Sequence, residues 1–437
     1  AREENVRVDA AWSDHTRSRR SERDAGVPAR NMEGITSRPR RKVRRKQVSD
    51  RVEVHLAPDS TLFMPTAIYG WGSNLYGQLG LLLTETETCR AQRIHSGGPH
   101  DTLAAVTASQ VVWHTASNKF TAQGLGLSSS DEHTNKEPLQ TTETVQLQAK
   151  RLLGCDRIDG YLVIDGRIHP ADAPGSVRHG PEWLDAATNV IGQVLAISTS
   201  GEPWLFPSLT CSRTADGVQL QAKDEQIPPV HAVAGGGAHF VMVTEDPKCP
   251  IYACGDGRYG QLGAPALQRL PETRDAVKVG YFSARQGFTT RIAAVECGSR
   301  HSVALTVDGD AYFWGWLIVN GVEMPLSPTP IMLGEEQLDR QVIQVACGAA
   351  HTLLLLDDGS LWGFGSSTWP RKKAVLTPTD EHGELGFAQD RPRVGSLRQE
   401  EGECILPECL TELATSMSGR ATRVGAAHWT SYAQVEE

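Results

Sequence analysis

The sequence predicts an all-β protein, a seven-bladed β-propeller closed by pairing its N- and C-terminal strands. Three observations carry that prediction. An aromatic-glycine motif recurs along the chain, a Gly-x-x-His motif precedes it, and each terminus holds half of one repeat unit. Composition agrees: 42 of 437 residues are glycine and 24 are proline, a turn-rich balance, and 39% hydrophobic residues suffice for a core.

The repeat begins after residue 63. Residues 1–63 show no sustained period of 2 or 3.6 and carry 15 Lys/Arg against 10 Asp/Glu. Within them Arg38–Lys46, RPRRKVRRK, places seven cations in nine residues. The segment reads as a basic, disordered arm, with nuclear localisation or chromatin contact as its functional reading. An alternative starts the native protein at Met64, which leaves the arm outside it. Residues 64–437 carry 28 basic against 42 acidic side chains. That balance argues against nucleic acid as a partner of the propeller, because phosphate attraction dominates such binding; it remains a partner class for the arm.

The aromatic strands are Tyr69-Gly-Trp-Gly72, Tyr252-Ala-Cys-Gly255, Tyr312-Phe-Trp-Gly315 and Trp362-Gly-Phe-Gly365, with a weaker copy at Trp204–Pro207. Two run into near-identical tails, Ser73–Gly80 (SNLYGQLG) and Asp256–Gly263 (DGRYGQLG). A third reaches GELG at Gly383–Gly386 only after an insertion. Glycine and histidine stand three apart at Gly236/His239, Gly298/His301, Gly348/His351 and Gly425/His428. In two of these units the apolar runs VALTV and LLLLD lead to Asp308-Gly309 and Asp358-Gly359, then to the aromatic strand. Apolar run, Asp-Gly turn and aromatic return make a β-hairpin.

Degenerate copies fill the interval from about 100 to 210: Thr107–Gly124, Leu152–Ile168, which keeps Asp165-Gly166, and Asn189–Phe206. With the four His units they make seven, at about 53 residues each, within the range of one blade per repeat. The last unit, Ala421–Glu437, lacks an aromatic strand, whereas the first organised segment lacks a Gly-x-x-His strand. Pairing the two completes a blade and removes the edges of an open array. Insertions are expected at about 366–420, where Phe387–Arg420, helix-permissive near Leu410–Ser416, is a candidate partner surface.

The segments CGSRHSVALTVDGDAYFWG (297–315) and CGAAHTLLLLDDGSLWGFG (347–365), with the two YGQLG tails, resemble the regulator-of-chromosome-condensation repeat. The match is strong over 230–370 and 68–80 and weak between 100 and 210. That resemblance implies a seven-bladed propeller. Among its members it implies an exchange factor for the small GTPase Ran, propellers appended to ubiquitin ligases, and stand-alone alpha-tubulin suppressor-like proteins, the fungal group of which this chain looks most like. Fold alone does not choose among them.

Chemical readings of the conspicuous residues give way to structural ones. Gly255–Gly260 fits G-x-G-x-x-G, but Pro265 follows where a dinucleotide site needs a helix. The repeat histidines fall on separate blades, too far apart for one metal ion, and a neutral imidazole suits a buried link between blades. Cys297 and Cys347 share a position that also takes Gly235 and Val424, which fits a small buried side chain. No catalytic, cofactor-binding or metal-binding residue is expected, and no cofactor. The repeat signature is assigned to Gly72, Gly255, Gly315 and Gly365 beside the four Gly/His pairs. Asn74, Tyr76, Asp256, Arg258 and Tyr259 are the candidate partner-contact loop residues. Nine scattered cysteines without a C-x-x-C pair, no apolar run near 18 residues and no leader point to the cytoplasm or nucleus, without secretion or a membrane partner. The expected function is a protein-interaction scaffold or regulator, not an enzyme; the alternative is guanine-nucleotide exchange on a Ran-like GTPase.

Overall fold

The computed structural model describes residues 65–437 apart from 74–77, 80–86, 99, 116–118, 125–139, 144–148, 155–156, 172–179, 215, 224, 264–269, 320–321, 334–338, 367–392, 395 and 399–402. The basic arm, Asn74, Tyr76, the GELG tail and most of the insertion after Ser366 therefore lie outside the described residues.

The described strands form seven sheets. Blade 1 starts with Thr102–Val106, blade 2 with Ala149–Leu153, blade 3 with Trp183–Thr188 and blade 4 with Val230–Gly235. Blade 5 starts with Ile292–Cys297 and blade 6 with Val342–Cys347. Blade 7 combines Arg420–Ala427 and Thr430–Glu436 with Thr66–Ser73 and Glu87–Gly97 from the other end of the chain. The closing pairing is antiparallel and runs from Thr66↔Glu436 to Gly72↔Thr430. Both termini thus supply one blade, as the half-units require.

Each sheet is buried on both faces by its neighbours, so its central strands read as continuous apolar runs instead of alternating ones. His351–Leu356 is buried at every position. Seven apolar clusters fill the seven gaps. Trp113 and Tyr432 meet between blades 7 and 1, Phe120 and Tyr161 between 1 and 2, and Leu162 and Phe206 between 2 and 3. Leu195 and Phe240 meet between 3 and 4, Val241 and Trp314 between 4 and 5, Phe313 and Leu354 between 5 and 6, and Leu355 and Val435 between 6 and 7. Because the last blade packs on the first, the row of sheets returns on itself as a ring.

Two local devices shape each blade. At the hairpin turns Gly309 and Gly359 both have φ of 84°, the left-handed conformation a side chain resists. In six of the seven first strands one residue is skipped in the pairing at the same place, as Ala293 is between Ile292 and Ala294. Such bulges sharpen the local twist where the strands converge on the axis.

Part of the insertion packs on the ring. Cys404–Leu406 joins blade 5 through a parallel contact, Ile331↔Ile405, and Glu408–Cys409 edges blade 6. A helix does form at Thr411–Ser416, and Leu410, Leu413 and Met417 are buried in the cluster between blades 6 and 7. Apolar residues at this spacing were spent on the core, which leaves less of the stretch for a partner.

Candidate functional site

The repeat histidines link neighbouring blades. His239 Nε2 lies 2.9 Å from Ser302 Oγ, His301 Nε2 3.2 Å from Thr352 Oγ1, and His351 Nε2 2.9 Å from Ser431 Oγ. Burial lowers the pKa of His239 to about 4 and those of His301 and His351 to about 3. All three rings are therefore neutral near pH 7. The glycine three residues earlier lies under the ring. A Cβ on Gly298 would stand 2.1 Å from His301 Cε1 and 2.5 Å from the Gly348 carbonyl oxygen. The histidines also face the aromatic-strand glycines, in the pairs His239↔Gly255, His301↔Gly315 and His351↔Gly365.

Blades 7 and 1 keep this plan with other residues. Gly72 pairs with Thr430, so Thr430 holds the histidine's place, and His428 falls in the turn at the place of Ser299 and Ala349. Gly425 pairs with Tyr432, two positions from the place of Gly298. In blade 1 Gln110 pairs with Gly124, and its Oε1 accepts a 2.7 Å hydrogen bond from the Ile158 N–H of blade 2. A Gln carbonyl reaching the next blade thus does what the imidazole does elsewhere.

The YGQLG tail is half core and half surface. Leu262 is fully buried, and the Gln261 carbonyl accepts from Ser302 Oγ at 3.1 Å and Trp314 Nε1 at 2.9 Å on blade 5. Asp256 is buried and holds Arg258 by two 2.9 Å bonds, from Nε and from Nη2. Although burial pushes its carboxyl up, the Arg258 side chain and N–H hold it below the usual value. Arg258 itself stays half-exposed, with 54% of its side chain open to solvent. Next to it, the Tyr259 ring meets Trp316 edge-on at 5.4 Å and carries the Arg300 guanidinium 4.1 Å from its centroid. Such stacking holds a guanidinium in place on the loop face.

Of the five loop residues singled out, the structure brings Asp256, Arg258 and Tyr259 together, with Asp256 as the buried anchor. Sequence reasoning missed Arg300 and Trp316. Both have a positional signal: Arg300 lies inside the Gly298–His301 turn, and Trp316 follows Gly315 where Asp256 follows Gly255.

Comparison with known proteins fits this geometry. Two segments, 250–305 and 342–368, match the regulator of chromosome condensation (RCC1) repeat. The chain carries RCC1 repeats and is an RCC1-like propeller. It is 30% identical over 200 residues to human E3 ubiquitin-protein ligase HERC2, a match spanning 43% of this chain and 4% of that protein. It is 27% identical over 173 residues to the mouse secretion-regulating guanine nucleotide exchange factor, spanning 37% of this chain and 35% of that one. The crystal structure of human WBSCR16 shares the fold, with a TM-score of 0.57 at 15% identity, covering 85% of this chain and 99% of that one.

Proposed function

We propose that this propeller is a protein-interaction scaffold or regulator whose partner docks on the loop face beside Tyr259. The observation that carries the reading is the division of labour within one loop. Gln261 and Leu262 are spent on the ring and Asp256 anchors Arg258, whereas Arg258 is exposed and the Arg300–Tyr259–Trp316 stack lies half-buried beside it, rich in the residue types that dominate interfaces. The guanidiniums of Arg258 and Arg300 on this face favour an acidic patch on the partner and a salt-sensitive association. Affinity capture with the full chain across a salt series tests the reading. A recurrent stoichiometric protein partner released by salt supports it; the absence of any such partner at low salt contradicts it.

Guanine-nucleotide exchange is the second reading, favoured by the likeness to the mouse exchange factor. Exchange needs no nucleophile; it requires a surface that binds the nucleotide-free GTPase. Faster release of a fluorescent guanine nucleotide from a Ran-like GTPase, at catalytic amounts of this protein, is its test.

A further inference from the structure

The inner ends of the blades line an open cavity of about 170 Å³ on the propeller axis. All seven blades contribute to its wall, mainly through glycine, alanine and backbone. One carboxylate lines it among the described residues, that of Glu296 on the first strand of blade 5. The matching position is Leu153 in blade 2, Ala187 in blade 3, Ala234 in blade 4, Ala346 in blade 6 and Gly425 in blade 7. Each of these residues is apolar, so the carboxylate of Glu296 departs from the pattern of the ring.

The Glu296 side chain makes no hydrogen bond or ion pair among the described residues. The cation facing it, Arg151 of blade 2, is engaged elsewhere: its Nη1 is 3.0 Å from both carboxylate oxygens of Asp185 in blade 3 and 2.9 Å from the Val233 carbonyl oxygen in blade 4. The other titratable groups on the wall are the thiols of Cys297 and Cys347, kept protonated by burial, and His428 from blade 7. Burial raises the Glu296 carboxyl to about 7 against the opposing pull of Arg151. At slightly alkaline pH an anion therefore stands in the axial cavity with only the pull of Arg151, already bonded to Asp185, to offset it, an arrangement that a further cation would stabilise.

We propose that the axial cavity binds a primary ammonium group, from a free alkylamine or a lysine side chain, with Glu296 as its counter-ion. An ammonium brings three donors on a compact head. One meets the carboxylate. The others meet rim carbonyls such as those of Gly298 and Ala349, each of which accepts one backbone bond, from Gly237 N at 3.1 Å and Ser299 N at 3.2 Å, and keeps a second lone pair. A divalent metal fits less well, since it asks for six or more oxygens and usually several carboxylates. The volume, roughly five to six waters at ~30 Å³ each, admits an ammonium on a short alkyl stem. This site lies on the axis and is independent of the loops around Tyr259.

Thermal melting of the full chain at pH 8 tests it, with n-butylammonium chloride titrated against matched sodium chloride and tetramethylammonium chloride. The wild type is expected to gain several degrees from n-butylammonium beyond either control, and E296Q, which keeps the shape and removes the charge, to gain none. At pH 5.5, where Glu296 is protonated, the gain is expected to vanish. Nα-acetyl-lysine amide distinguishes the sources: a Glu296-dependent gain at lower concentration than n-butylammonium identifies a lysine side chain, and the reverse order a free amine. No gain in the wild type, an equal gain in E296Q, or sodium matching n-butylammonium would overturn the site.

Discussion

His301 joins three interactions in one ring: the bond to Thr352 on the next blade, a 23° stack on Phe313 at 5.2 Å, and van der Waals contact with its own Gly298. His301→Ala removes all three and leaves a buried hydroxyl short of a partner. It is expected to lower stability by about 1–3 kcal/mol, read from the urea midpoint. Metal-free and metal-supplemented samples should give the same loss. The ring also sets a pH dependence. Its folded pKa, about 3, lies below its ordinary 6.5, so the unfolded chain binds the extra proton between those values. Stability is therefore whole above pH 6.5 and falls as pH drops toward 3, with His239 and His351 acting in the same direction. Urea midpoints measured from pH 8 to pH 4 should fall in the wild type and fall less steeply in a His301→Gln variant; an equal slope would show that another group governs the acid limb.

At the scale of the blade, the hairpin was legible wherever the sequence kept both Gly-x-x-His and Asp-Gly, because each residue there answers a backbone requirement. The fourth pair, Gly425/His428, shows the limit of spacing. Sliding a strand by two residues preserves its inward and outward faces, so pattern alone cannot see that Thr430 takes the histidine's place. Gln110 escaped notice because the side chain changed while the link to the next blade was kept. The skipped residues of the first strands leave no compositional mark, since Lys150, Leu184, His231 and Ala293 share no property. Of the candidate site, Arg258 and Tyr259 were legible from the repeated tail, but Arg300 and Trp316 join them only through the packing of blade 5 on blade 4. That packing rests on Leu262, which lies wholly inside the cluster between these blades. Leu262→Ala is expected to cost about 2–5 kcal/mol by the cavity it leaves. Calorimetry that finds less than ~1 kcal/mol would mean that the loop does not anchor there.

In the whole molecule, closure depends on a blade shared between the termini. The pairing from Thr66 to Gly72 against Thr430 to Glu436 joins segments more than 350 residues apart, and Gln78 Nε2 extends the join to the Ala108 carbonyl of blade 1. Removing Ala421–Glu437 would strip both inner strands from blade 7 and uncover its own Trp71 together with Leu355 and Trp113 of the blades on either side. A truncated chain is expected to lose its cooperative melting transition or to show it more than ten degrees lower; a melt like that of the full chain would refute closure. The ring also explains why the repeat residues are poor candidates for function. They are consumed in holding each blade to the next, which leaves the loops to make the protein distinct. The most direct measurement of that division sets partner capture against melting temperature for two variants of the full chain. Arg258→Glu combined with Tyr259→Ala should lose most of the captured partner while melting within two or three degrees of the wild type. His301→Ala should melt lower yet capture as much partner per folded molecule. If the loop variant keeps its partner, or the histidine variant loses it while still folded, the loops are not the working surface.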